Sequence, residues 1–342
     1  MTTMAEERAA RYSKRRGVPR LVWPLAALGV ILLFNFFFTP EFFRVTMRDG
    51  RLFGNVIDIL RNGVPVTLVS IGMTLVIATG GVDLSVGAVM ALAGTLAAVL
   101  IGLHHWGAAA GISAALGLAL VCGVWNGFLV AYLGIQPIVA TLVLMVSGRG
   151  IAQLLSGGQI VDVINPGFDY LTKGAILGMP FAVYLMAACF IVVAVMTRKT
   201  ALGLFIESVG NNPLASRYAG INERGVKMVA YIVAGVCSGL AGMHVASEIQ
   251  AADANNAGLY LELDAILAVL IGGTSLSGGR FSLIGSVVGA MIIQTTRTMI
   301  LNKGIAVEST MIVKAVIILV IAIFQAEKFR TLLGRMLKRG RA

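Results

Sequence analysis

The chain has 342 residues, of which 58% are hydrophobic and only 13% charged, with a mean hydropathy of +0.89. A soluble domain carries roughly twice that charge, so a sizeable soluble domain is excluded, and at about 20 residues per crossing the apolar runs leave room for about eight to ten membrane helices. The net charge of +11 sits largely at the two ends, and no basic face carries the interleaved aromatics that nucleic-acid binding uses.

In chain order, residues 1–20 form a basic tail with Arg8, Arg11, Lys14, Arg15, Arg16 and Arg20. The first expected span, 21–38, lacks the small-residue cleavage site of a signal peptide. Further spans are expected at 62–79, 86–103, 109–133, 138–155, 179–196, 227–246, 263–279, 282–301 and 310–325. The fold class expected is therefore an all-α polytopic membrane protein of about ten transmembrane helices. A single transmembrane domain, 21–326, lies between cytoplasmic basic tails at 1–20 and 327–342. The second tail carries Lys328, Arg330, Arg335, Lys338, Arg339 and Arg341. An even number of spans and the positive-inside rule place both termini in the cytoplasm.

The loops mostly agree with this topology. Segment 197–227 carries Arg198, Lys199, Arg217, Arg224 and Lys227 against Glu207 and Glu223, and is read as cytoplasmic; 247–262 carries Glu248, Asp253 and Glu262 with no basic residue, and is read as outward. Cysteines placed at 216 and 254 should then be labelled from opposite sides. Loop 39–61 fits badly, because four arginines would face outward; an interfacial helix over 53–60 accommodates them. Cys122, Cys189 and Cys237 lie in apolar runs and read as small hydrophobic residues. None of the three histidines has ligand spacing, so no metal site is expected.

Two apolar runs break at a double glycine. Residues 80–87 read G-G-V-D-L-S-V-G and residues 272–279 read G-G-T-S-L-S-G-G. Irregular backbone at membrane depth is tolerated only where protein or a water-filled cavity covers it. A duplicated break points to broken helices in a transporter with an internal two-fold repeat, although glycine-rich helix ends also match by chance. The two turns fall on one membrane side in this count, whereas an inverted repeat needs an odd number of spans between equivalent helices.

Polar groups inside apolar spans are the candidate path residues. Asp83 either lines a cavity or caps the helix after the break. Asn126 either meets substrate hydroxyls or bridges helices, and Trp125 is placed to stack on a sugar face. Arg149 and Gln153 share a helix face and either line the path or sit near the outer interface; Gln294 and Arg297 share a face in the same way, unless Arg297 snorkels outward. Glu262 and Asp264 either face an external partner or stabilise a first helical turn. In loop 197–227, Asn211 or Asn212 suits an N-cap ahead of Pro213, Leu214, Ala215, Tyr218 and Ala219 follow at helical spacing, and Gly220 suits the stop. An apolar helix of this kind either docks a partner or lies on the membrane surface.

The same loop, T-A-L-G from residue 200 through Gly210, Asn211, Ala215 and Gly220-Ile221, resembles the coupling loop of sugar permeases in ATP-binding-cassette (ABC) importers of the ribose and galactofuranose type. The two turns and E-L-D-A-I at 262–266 resemble the same family, over about residues 55–325 and in the same order. A-D-A-N-N-A-G-L at 252–259 and Q-P-I-V-A-T at 136–141 are most similar to galactofuranose-type permeases. The resemblance implies a type II importer fold in the bacterial inner membrane. It implies ATPase coupling through Gly203, Glu207, Gly210, Asn211, Ala215 and Gly220. It also implies a path through Asp83, Trp125, Asn126, Arg149, Gln153 and Gln294, and binding-protein docking at Asp253, Asn255, Asn256 and Glu262. The partners implied are an ABC ATPase, a periplasmic sugar-binding protein, a second permease chain (identical or homologous), the sugar and the lipid bilayer. No cofactor is implied, and nucleic acid is not a partner.

The chain has no G-x-x-x-x-G-K-[ST] phosphate cradle, so ATP-driven transport needs a separate ATPase and the chain itself is not an enzyme. The competing class is an ion-coupled secondary sugar transporter with Asp83 as its coupling carboxylate. Loop 197–227 discriminates, because a docking helix is superfluous there.

Overall fold

The computed structural model describes residues 21–48, 50–302 and 304, and the isolated positions 312, 315, 316 and 319. The expected span at 310–325 and the tails at 1–20 and 327–342 lie outside the described residues. The helices are α1 (Val22–Phe38), α2 (Asn55–Asn62), α3 (Val64–Ala78), α4 (Val86–Ala98), α5 (Ala108–Ala131), α6 (Pro137–Leu155), α7 (Pro166–Lys173), α8 (Phe181–Arg198), α9 (Leu202–Asn211), α10 (Pro213–Tyr218), α11 (Glu223–Ile249), α12 (Leu261–Ile271) and α13 (Leu283–Asn302). A π-helical turn, Val99–Leu103, extends α4.

Each expected span up to residue 301 falls on a helix, with two corrections. Among the described residues, six helices are long and apolar enough to cross a membrane, or seven with the bent pair α2–α3, whose axes differ by 44°. Nine spans are expected over these residues, so the expected count is not reached within them. The span expected at 263–279 is a helix of only 11 residues; at 1.5 Å per residue it covers about half of a ~30 Å hydrocarbon core. The second correction is to the all-α class. Three short antiparallel ribbons join loop segments: β1 (Thr46–Arg48) with β2 (Arg51–Phe53), β3 (Val161–Asp162) with β6 (Ala251–Ala252), and β4 (Ala175–Ile176) with β5 (Met179–Pro180). Each gives backbone amides and carbonyls outside the helices a partner.

Helix α11 is the axis of the packing. Its stripe of small residues lets three neighbours approach at backbone distance. A Cβ on Gly235 would stand 2.6 Å from the Ala119 carbonyl oxygen of α5, and one on Gly72 of α3 would stand 2.6 Å from Ala234 Cα; one on Gly242 would overlap the Met90 carbonyl of α4. Between membrane helices there is little hydrophobic drive, so dense packing of small residues is what holds them. Hydroxyls buried in α3 return to the preceding turn: Thr67 donates to Gly63 (2.7 Å) and Ser70 to Val66 (2.6 Å). The Thr74 hydroxyl reaches both the Ser70 carbonyl (2.6 Å) and Ser286 Oγ of α13 (2.7 Å).

The outer faces of α5, α6 and α8 are apolar and exposed, with Val121, Trp125, Val143, Val146, Ile191 and Val192 on them. That is the surface a lipid-facing helix presents. Cys189 and Cys237, which look unrelated in sequence, face each other across α8 and α11 with sulfurs 3.6 Å apart, and both are free thiols.

Candidate functional site

Both double-glycine breaks end a helix in the same way. After α3, Gly80 takes φ +84°, its N–H reaches the Ile77 carbonyl (2.9 Å), and Gly81 N–H reaches Val76 (3.1 Å). After α12, Gly273 takes φ +87°, its N–H reaches Leu270 (2.9 Å), and Thr274 N–H reaches Val269 (3.2 Å). These are Schellman caps, whose left-handed residue is glycine because a Cβ is strained there. The equivalent residues are therefore Gly80 and Gly273, not Gly80 and Gly272. The spelled repeat is offset by one, and counted from the caps, Leu276 rather than Ser275 stands opposite Asp83.

Beyond the caps the turns differ. In the first, Asp83 is 2% exposed. Its Oδ1 accepts from the N–H of Ser85 (2.9 Å) and from the Ser85 hydroxyl (2.6 Å). Asn126 Nδ2 of α5 donates to Ser85 Oγ (2.8 Å) and reaches Asp83 Oδ1 at 3.5 Å. Leu84 N–H donates to Thr141 Oγ1 of α6 (3.2 Å). Asp83 and Asn126 thus form one knot joining the start of α4 to α5. In the second turn, Thr274 Oγ1 accepts from Ser282 N–H (3.2 Å), and Gly279 N–H donates across to the carbonyl of Ala78, the last residue of α3 (2.9 Å). The two turns are bonded to each other.

The loop read as cytoplasmic lies against that contact. Asn212 caps α10 by accepting from Ala215 N–H (3.0 Å), with Pro213 in the first turn. Gly220 closes the helix at φ +83°. Gly210, at the end of α9, fits between the turns. A Cβ there would overlap the Ala78 carbonyl oxygen and the Gly279 amide nitrogen, while one on Gly278 would stand 2.8 Å from the Gly210 carbonyl and 3.0 Å from Gly80 N. Asn211 Oδ1 would stand 2.6 Å from a Cβ on Gly279. The six coupling candidates therefore divide. Gly203 and Gly210 are internal close-approach glycines, and a Cβ on Gly203 would overlap the Thr197 carbonyl. Asn211, Ala215 and Gly220 are exposed and Glu207 is half-buried. Leu204 (69% exposed), Leu214 (66%) and Tyr218 (90%) add an apolar surface around them.

The remaining path candidates do not converge. Trp125 lies 49% exposed on the outer face of α5, away from the Asp83 knot. Arg149 is a clasp: its guanidinium donates to the carbonyls of Ala254 (3.1 Å), Asn255 (2.9 Å) and Ala257 (3.1 Å). Gln153 Nε2 adds a bond to Asn255 Oδ1 (2.8 Å). Replacing Arg149 with methionine should raise hydrogen exchange across 253–258 several-fold; unchanged exchange would show that the clasp does not hold the loop.

Of the four docking candidates, Asn255 and Asn256 are exposed and Asp253 is half-buried. Asp253 accepts from the backbone of both asparagines (2.9 and 3.1 Å) and from Asn256 Nδ2 (2.7 Å). The amide side chain of Asn256 leads the bonds that hold its carboxyl below the usual range. Glu262 is buried, 7% exposed, beside Gly87, and offers no docking surface. Ser216 and Ala254, the two positions intended for labelling, are 2% and 1% exposed. Sequence reasoning missed the pairing of Arg61 in α2 with Glu248 at the end of α11 (3.2 Å); no local spacing signals it.

Apolar helices interrupted by covered, capped turns, with an apolar loop seated on those turns, define a membrane transport permease. The chain belongs to the family described as the permease component of branched-chain amino acid transport systems, which it matches over residues 55–322. It is 50% identical to the galactofuranose transporter permease protein YtfT of Escherichia coli K12 over 329 residues, covering 94% of this chain and 93% of that one. It is 37% identical to the fructose import permease protein FruF of Bifidobacterium longum over 350 residues (100% and 97% covered) and 34% identical to the ribose import permease protein RbsC of E. coli K12 over 311 residues (89% and 93% covered). No solved structure matches the chain. The resemblance read from the turns and the loop is borne out, including its leaning toward the galactofuranose type.

Proposed function

We propose that this chain is the membrane-spanning subunit of an ATP-driven importer that carries a monosaccharide of the galactofuranose type across the bacterial inner membrane by alternating access. The observation that carries this reading is the seat of Gly210 on the bonded pair of turns. Through it, a push on an apolar, partner-seeking surface reaches the ends of α3 and α12. A broken helix is the element that alternating access moves. The family description names branched-chain amino acids, whereas the three relatives that cover nearly the whole chain carry sugar names. The longer and closer likeness favours sugar.

In this reading a separate ABC ATPase docks on Leu204, Leu214, Ala215 and Tyr218, and Glu207, Asn211 and Gly220 border that surface. A periplasmic binding protein meets Asp253, Asn255 and Asn256. A second permease chain, identical or homologous, completes a type II assembly in which α3–turn–α4 and α12–turn–α13 are two related units, and both termini lie in the cytoplasm.

Proteoliposomes decide the class. Uptake of tritiated sugar should require the ATPase subunit and internal ATP. Uptake by this chain alone, driven by a proton or sodium gradient, would sink the importer reading in favour of a secondary transporter. Topology is tested by cysteines at Tyr218 and Asn256, both exposed. Position 218 should react from the cytoplasmic side and 256 from the outer side, and the reverse pattern would invert the assignment.

A further inference from the structure

A cavity of about 530 Å³ opens between α2, the last turns of α11 and the last turns of α13. Its volume lies within the range of small-molecule sites, and nearly half of its wall is polar in a chain that is 58% hydrophobic. Two features show that the wall's hydrogen-bonding capacity is not spent on the protein. Gln294 is 6% exposed, lines the cavity and has no hydrogen-bond partner among the described residues. Arg297 stands exposed at the wall with no ion pair among the described residues. Buried polar groups ordinarily find partners, so an unspent amide beside an open volume points to a ligand that supplies one.

The wall combines groups that both donate and accept (Gln294, Asn302 and a histidine) with an ion pair, Arg61 to Glu248 at 3.2 Å. Neutral donor–acceptor side chains suit a ring of hydroxyls, each of which both gives and takes a hydrogen bond, and charged groups strengthen such bonds. We propose that this cavity is a sugar-binding waypoint, in which Gln294 and Arg297 bond the sugar's hydroxyls and the Arg61–Glu248 pair closes one wall. A second, smaller cavity shares Asp58 and Arg61 with it and continues toward Lys173 and the β1–β2 ribbon. Arg61 of the ion pair therefore lines both spaces. The waypoint rests on the importer reading above.

The test uses the full chain assembled with its ATPase and binding protein in proteoliposomes, with tritiated galactose, fructose and ribose as probes. Gln294→Leu keeps the side chain's bulk and removes its hydrogen bonds. It should lower the uptake rate at limiting sugar about tenfold, chiefly through a higher KM, the scale of leaving a buried partner unsatisfied. Gln294→Asn should recover part of the loss, which a purely packing role would not give. Arg297→Gln, at an exposed position, should lower uptake in the same direction and decides the matter should the leucine variant fail to reach the membrane. Parental rates within about twofold in both Gln294→Leu and Arg297→Gln, less than one such bond is worth, would overturn the waypoint alone. A parental complex that takes up none of the three sugars with ATP would overturn the importer reading and the waypoint with it.

Discussion

Replacing Gly210 with valine is expected to cut ATP-driven uptake by at least about tenfold while leaving the chain in the membrane and bound to its ATPase. Even the first carbon of a side chain at 210 would overlap the Ala78 carbonyl and the Gly279 amide. Those atoms are backbone, and they are hydrogen-bonded to each other at 2.9 Å, so they cannot swing aside as a flexible side chain would. Forcing extra carbon into a tight site costs about 1–3 kcal/mol, and about 1.4 kcal/mol is a factor of ten. The strain falls on the contact between α9 and the paired turns, not on the exposed surface of α10. Gly210→Ala should give a smaller loss of the same kind. Leu214→Asp, on the exposed face, should act differently, because it should abolish copurification with the ATPase. Normal uptake in Gly210→Val would remove the mechanical link between loop and turns.

What could be read from sequence here was whatever is local. The N-cap at Asn212, the proline after it and the stop at Gly220 are decided within a few residues, and they stand where the turn chemistry puts them. The apolar runs likewise fix where helices are. Burial is another matter, because a membrane helix is apolar all round and its pattern does not say which face meets protein. That is why Trp125 looked like an inward aromatic and lies outside, and why Glu262, which could have faced a partner or stabilised a first helical turn, is buried in the first turn of α12. Gly210 has the same difficulty in another form. A glycine three residues ahead of a proline reads as the edge of a helix start, and only the backbone of two distant segments shows that its missing side chain is what the site needs. The double glycines were visible as breaks, but their pairing was off by one residue. Both copies contain two glycines, and sequence does not tell which of them takes the left-handed angle. Arg149 could not be assigned either, since the groups it bonds are three main-chain carbonyls, which no side-chain pattern signals.

Asp83→Leu is expected to destabilise the purified complex by about 3 kcal/mol, whereas Asp83→Asn should leave it near the parent and still able to take up sugar with ATP. Leucine removes the acceptor of two bonds, those from the Ser85 amide and the Ser85 hydroxyl, and leaves Asn126 facing an apolar side chain. Each buried donor left without a partner costs about 1–3 kcal/mol. Asparagine keeps an oxygen where Oδ1 stands, so both Ser85 bonds survive and only the charge is lost. The pair of variants therefore separates two roles that the carboxyl could have. A coupling carboxylate in an ion-driven carrier needs its charge, and the amide would stop transport at once. A joint between the start of α4 and α5 needs only the oxygen. Thermal stability in detergent and ATP-driven uptake, measured on both variants, distinguish the two. A stable Asp83→Asn complex that no longer transports would give the charge a role in moving the sugar and would reopen the ion-coupled alternative. Every hydrogen bond Asp83 accepts comes from Ser85 or Asn126, and the second turn has a leucine at the position equivalent by its cap. An ion site shared by the two halves would need a ligand at both places, so the geometry favours the joint.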